Sequence, residues 1–214
     1  MTRGIVISFL FFLALSFCAF PVCAQSSDPD DQEVQINVDL ADPHVAIGWW
    51  KAAIDKDPND VEAYNNLGLA YATLNQLDEA IKCFQKATEI NPNFAESYAY
   101  IGATYNSLEQ PGKAIPYLTK AMELGVNDAS TYATLGASYY FTNKFNEAIP
   151  YFEKALELNP DDTKTTMALA NAYKSTGENQ KAKENFLKLK ELYSAQGNDK
   201  ALQEVQQFLD ELPD

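Results

Sequence analysis

The chain is 214 residues long, with 16 basic against 30 acidic residues, a net charge of −14, a single histidine and three cysteines. Arg3 is its only arginine; an acidic surface without guanidinium groups repels phosphate backbones and lacks their bidentate reader, which disfavours a nucleic-acid partner and favours a neutral or basic protein. His44 alone can assemble neither a His-dependent triad nor a multi-histidine metal site, and no glycine-rich phosphate loop or calcium loop occurs.

Near its start the chain carries the basic Arg3, then a predominantly apolar run from Ile5 to Phe20 interrupted by Ser8 and Ser16, then Val22, Cys23 and Ala24 ahead of the polar Gln25. This is the order of a secretory signal peptide over residues 1–24, cleaved after Ala24 and sending the protein to the periplasm or the extracellular space. The alternative is an uncleaved anchor, since the apolar stretch is just about long enough for the ~18 to 20 residues that a bilayer span takes. Cleavage would remove Cys18 and Cys23 and leave Cys83 alone, so stability would rest on packing and not on intrachain disulfides. No stable membrane insertion is expected of the cleaved chain.

Residues 25–42 form an acidic tether, Gln25 to Glu33, followed by Val34, Ile36, Val38 and Leu40 in strict alternation with Gln35, Asn37 and Asp39. Strict alternation is a strand pattern. The segment is expected either to fold back over the helix that follows or, with Val34, Ile36, Val38 and Trp49, to contact a partner or a second copy at this end.

From Val61 onward the sequence repeats every 34 residues. The row 61–94 carries Tyr64, Leu67, Gly68, Tyr71, Ala80, Phe84, Ala87 and Pro92, and the row 95–128 carries Tyr98, Ile101, Gly102, Tyr105, Ala114, Leu118 and Ala121. The row 129–162 repeats them as Tyr132, Leu135, Gly136, Tyr139, Ala148, Phe152, Ala155 and Pro160, and a divergent row 163–196 keeps Leu169, Ala170, Tyr173, Gly177, Ala182 and Phe186. Counting back 34 places Ala46, Trp50, Ala53 and Pro58 in the same columns, so residues 43–60 read as the second half of an incomplete unit. Within a row, Tyr64, Leu67, Tyr71 and Leu74, then Leu77, Ala80, Ile81, Phe84 and Ala87, recur at helical spacing, which predicts two amphipathic helices per row.

This pattern resembles the tetratricopeptide repeat. The resemblance implies an all-α fold, an α-solenoid of antiparallel helix pairs wound into a right-handed superhelix. Gly68, Gly102 and Gly136, with Ala80, Ala114 and Ala148, are expected where the helices of a pair approach closely. Asp60, Asn93, Asp128 and Asp162 are expected to cap first helices, Pro58, Pro92 and Pro160 to close the helices before them, and Pro116 and Pro150 to sit near the start of second helices. Residues 197–214, with Leu202, Val205, Leu209 and Leu212 on one stripe, read as the terminal capping helix that solenoids require.

The resemblance also implies function. In the family, first helices line a concave face that binds extended peptides or a partner's helix. One turn from the packing columns, that face would hold Asn65, Asn66 and Leu69, then Tyr100 and Ala103, then Thr134, Ala137, Tyr140 and Phe141, then Asn171 and Lys174. The basic clamp by which one subclass holds a terminal carboxylate is missing, because its places carry Asn65, Leu69, Ala99, Tyr100, Ser130 and Thr134. The expectation is a non-enzymatic binding scaffold with no cofactor and no metal. The alternatives are a self-associating structural protein and an accessory subunit of an envelope enzyme or secretion complex.

Overall fold

The computed structural model describes residues 42–212. The expected signal peptide, the tether and the alternating segment through Leu40 lie outside the described residues. Ten α-helices account for nearly all the rest: α1 (Pro43–Lys56), α2 (Val61–Thr73), α3 (Leu77–Ile90), α4 (Ala95–Ser107), α5 (Pro111–Glu123), α6 (Ala129–Phe141), α7 (Phe145–Leu158), α8 (Thr163–Thr176), α9 (Asn179–Ala195) and α10 (Asp199–Glu211). They fall into two compact units divided between Asn91 and Pro92. The architecture is an all-α solenoid of helix pairs, α2/α3, α4/α5, α6/α7 and α8/α9.

In the first unit, α1, α2 and α3 enclose Ala46, Ala63, Leu67, Ala80, Ile81, Phe84 and Ala87. A Cβ placed on Gly68 would stand 2.5 Å from Phe84 Cε1. The phenyl ring therefore lies directly on the α2 backbone. In the second unit the same device recurs: a Cβ on Gly102 would meet Leu118 Cγ at 2.5 Å, and one on Gly136 would meet Phe152 Cδ1 at 2.7 Å. Ala170 takes the glycine's place in the fourth pair, and Phe186 opposite it remains fully buried. The divergent row thus folds as a pair like the others.

Every pair turns in the same way. Asn75, Glu109 and Asn143 adopt φ of 58°, 57° and 60°, and Gly177, in the same column, 82°. Each is followed by a backbone N–H that reaches back to a first-helix carbonyl, as Gln76 to Tyr71, Gln110 to Tyr105, Lys144 to Tyr139 and Glu178 to Tyr173, all at 2.9 Å. This closes the first helix with its left-handed residue and reverses the chain within a few residues. Asparagine tolerates that conformation; glutamate at position 109 does so at a steric cost.

Asp60, Asp128 and Asp162 cap α2, α6 and α8, their carboxylates accepting from Ala63 N at 2.8 Å, Thr131 N at 2.8 Å and Lys164 N at 3.0 Å. Asn93 does not cap α4: the helix starts after Phe94, which occupies the aspartate column and offers no acceptor, so Asn93 lies one residue too early. Pro116 and Pro150 stand not in the opening turn but at the sixth residue of α5 and α7, where each removes one intrahelical hydrogen bond. Where the second row lacks the Asn-Pro stop, Gly125 at φ 103° ends α5, with Val126 N donating to Ala121 O at 3.1 Å.

At the C-terminal end α10 packs on α9. Val205 is fully buried, Phe208 stacks on Phe186 with ring centroids 5.2 Å apart, and Leu209 and Leu212 join the same cluster. Gln203, Glu204, Gln206, Gln207 and Glu211 stay exposed, the polar back of a terminal cap.

Gly136→Ala should cost about 1–3 kcal/mol in denaturant unfolding, because the added methyl meets a buried ring that has nowhere to move. Gly112→Ala, helical and with nothing within 4 Å of a new Cβ, should instead gain about 0.5–1 kcal/mol. Glu109→Gly should raise the thermal midpoint by relieving the left-handed conformation, a gain of about 0.5–1 kcal/mol after the entropy of glycine is set against it.

Candidate partner-binding face

Positions not needed for packing within a pair are where this fold can vary. In the second unit the first helices α4, α6 and α8 are neighbours, and one column of the repeat, Asn106, Tyr140 and Lys174, ties each to the next. Asn106 Nδ2 donates to Ser138 Oγ at 2.8 Å and to the Thr134 carbonyl at 3.0 Å, joining α4 to α6. The Ser175 hydroxyl of α8 lies beside the Tyr140 phenol of α6. Lys174 Nζ reaches Glu211 Oε2 at 3.4 Å and lies 5.5 Å over the Phe208 ring, joining α8 to α10. The three side chains have different chemistry and one structural task.

Between these ties lie the residues expected to meet a partner. Tyr100, Ala103, Ala137, Tyr140, Asn171 and Lys174 are half-buried, and Phe141 is 52% exposed. Phe141 meets Tyr140 edge-on at 5.7 Å between centroids, and Tyr140 meets Phe145 of α7 at 5.2 Å, so three rings form one wall. Ala103 and Ala137, 34 residues apart, share one column of the repeat and are half-buried. Burial raises the phenol pKa of Tyr140 and of Tyr100, the latter assisted by the nearby Glu96 and Asp128 carboxylates, so both stay neutral through the physiological range.

Thr134, at 3% exposure, is buried beneath this face: its Oγ1 donates to the Ser130 carbonyl at 2.7 Å, and its own carbonyl serves Asn106. In the first unit Asn65 and Leu69 are likewise buried on α2, while Asn66 is half-buried. A position one turn from a packing column can therefore face the neighbouring helix and not the solvent. Trp49 lies on α1, 36% exposed; Val34, Ile36 and Val38 are outside the described residues.

Sequence reasoning passed over Asn106, Ser138, Ser175 and Phe145. Their signal was available in part, because Asn106 stands 34 residues before Tyr140 and Tyr140 stands 34 before Lys174. On another side of the same unit, Tyr132, Tyr139, Glu147, Pro150, Tyr151 and Lys154 line a shallow recess, with Tyr139 stacked on Tyr151 at 5.5 Å. Tyr173 donates to Glu153, tying α8 to α7.

Among the described residues no three His, Cys, Asp or Glu side chains lie close enough to hold a metal ion, and no helix is long and apolar enough to cross a membrane. His44 is exposed in the first turn of α1, its backbone N–H donating to Asp42 Oδ1 at 2.9 Å. Burial pushes the Cys83 thiol up to about 11, which leaves little thiolate at neutral pH.

Comparisons with known proteins agree with this geometry. Models of the tetratricopeptide repeat match residues 61–94 and 129–162, 83–115, and 165–196, and a TPR repeat model matches 45–75, the stretch from α1 into α2. No match is found among curated proteins. Among solved structures, MamA is similar with a TM-score of 0.67 at 26% identity, over 73% of this chain and 92% of that one. MamA from residue 41 to its end, from Desulfovibrio magneticus RS-1, gives 0.67 at 27% identity over 72% and 87%. YrrB, a TPR protein with an unusual peptide-binding site, gives 0.64 at 22% identity over 73% and 88%, a likeness of fold alone. By its repeated columns, its stacked helix pairs and these matches, the chain belongs to the tetratricopeptide-repeat family.

Proposed function

We propose that this protein is an exported, non-catalytic scaffold that holds a neutral or basic peptide or partner segment against the first-helix face of α4, α6 and α8. The observation that carries the reading is Phe141: a phenyl ring 52% exposed beside Tyr140 at the last residue of α6. Exposed aromatic side chains with room beside them are the anchors by which partners are held. The overall charge of −14 favours a basic or neutral occupant and speeds its approach. Export rests on residues 1–24 alone, with membrane anchoring through an uncleaved segment as the alternative.

Partners captured by the native chain from its own cell envelope should bind Phe141→Ala about tenfold more weakly, a loss of about 1–2 kcal/mol at an anchor position. Tyr100→Ala combined with Phe141→Ala should abolish capture, whereas Tyr151→Ala, on the recess away from this face, should leave it intact. Undiminished capture by the folded double variant would place the contact elsewhere. The N-terminal sequence of the exported protein should begin at Gln25, and a chain that retains Met1 or Thr2 would favour the anchored form.

A further inference from the structure

Helix α1 stands where the second helix of a complete pair would stand, yet no first helix precedes it among the described residues. Its outward stripe is Val45, Gly48, Trp49 and Ala52, spaced i, i+3, i+4 and i+7, and all four are exposed, Val45 at 42% and Trp49 at 36%. The same columns in complete pairs are not apolar. They read Glu79, Lys82, Cys83 and Lys86 in α3, Lys113, Pro116, Tyr117 and Lys120 in α5, and Glu147, Pro150, Tyr151 and Lys154 in α7. Each complete pair presents at least two charged side chains there. In α1 all the charges are gone.

The column of Trp49 also holds Tyr117 and Tyr151, and in the complete pairs each of these rings meets a tyrosine of the first helix. Tyr117 lies 5.6 Å from Tyr105 and Tyr151 lies 5.5 Å from Tyr139. Trp49 is therefore an aromatic side chain at a position where the fold normally supplies a covering element from just upstream. The stripe is shaped for cover and not for solvent.

We propose that residues 34–40 of the same chain are that cover, lying extended and antiparallel along α1 with Val34, Ile36, Val38 and Leu40 on the Val45–Trp49–Ala52 stripe. Three features of the chain select this occupant. The apolar residues alternate with Gln35, Asn37 and Asp39, so an extended course puts every apolar side chain on one face and every polar one in water. The lengths match: seven extended residues span about 23 Å at about 3.3 Å each, and the 14 residues of α1 span about 21 Å at about 1.5 Å each. Only Ala41 and Asp42 separate the segment from Pro43, and so short a connection gives it a millimolar or higher effective concentration that a second copy or a foreign peptide would have to exceed.

The register of that antiparallel course brings residue 38 opposite residue 48 and residue 36 opposite residue 52. In a chain whose native Cys18, Cys23 and Cys83 are serine, the pairs Val38→Cys with Gly48→Cys and Ile36→Cys with Ala52→Cys should each oxidise within one chain to a fast-migrating monomer on a non-reducing gel. In the otherwise native chain, Val34→Ser/Ile36→Ser/Val38→Ser should leave helicity unchanged, raise the quenching of tryptophan fluorescence by acrylamide and shift the emission to the red. Failure of both cysteine pairs to link overturns the proposal, as does a disulfide formed between chains, which would make a second copy the occupant. Quenching unaltered by the triple serine variant overturns it equally.

Discussion

The close approach of Phe84, Leu118 and Phe152 to the backbone of the preceding helix is the constraint from which the rest follows. Each of these side chains is buried to within 1% of completeness, and each lies where a Cβ on Gly68, Gly102 or Gly136 would collide with it. Contact at that distance fixes how far apart the two helices of a pair stand. It also explains why Ala80, Ala114 and Ala148, all fully buried, are the residues the second helix presents alongside. Close packing of this kind tolerates little change of volume. The columns that make it therefore repeat with their size preserved, and the alanine of the fourth pair, Ala170, departs by a single methyl.

The pairs also have to meet one another, and there the chemistry is free to differ. Asn106 joins its neighbour through an amide shared with Ser138 and Thr134, Tyr140 lies beside the Ser175 hydroxyl, and Lys174 makes an ion pair with Glu211 and a contact with the Phe208 ring. All three occupy one column. The ion pair, about a third and a half exposed at its two ends, adds little to stability by itself; it joins α8 to α10. A helix face built this way rests on packed neighbours, so an exposed ring such as Phe141 stands on a backbone that the adjoining helices hold in place.

A repeat protein has ends, and an end exposes whatever the next repeat would have covered. At the C-terminus α10 meets that requirement with Val205, Phe208 and Leu209 facing α9 and α8 and a polar back turned to solvent. The first helix among the described residues, α1, carries an uncharged stripe in columns that are charged wherever the pair is complete. The contrast between α1 and the second helices of complete pairs is one of composition in matching columns.

The 34-residue spacing by itself pointed to the class of fold, the helix pairs, the glycines of close approach and three of the four expected caps, while the apolar stripe from Leu202 to Leu212 pointed to the last helix. These are legible because each repeat solves the same packing problem with the same residue sizes. The left-handed turn residues Asn75, Glu109 and Asn143 share a column too, but glutamate there breaks the compositional signal, and so the turns emerged only with the structure. The tertiary arrangement alone decided which first-helix positions stay accessible. Asn65, Leu69 and Thr134 sit at plausible surface positions of an isolated helix, yet they are buried; Phe141, at the last residue of α6, stays open. Burial at such positions depends on side chains contributed by adjacent helices, and no periodicity within a single helix records it.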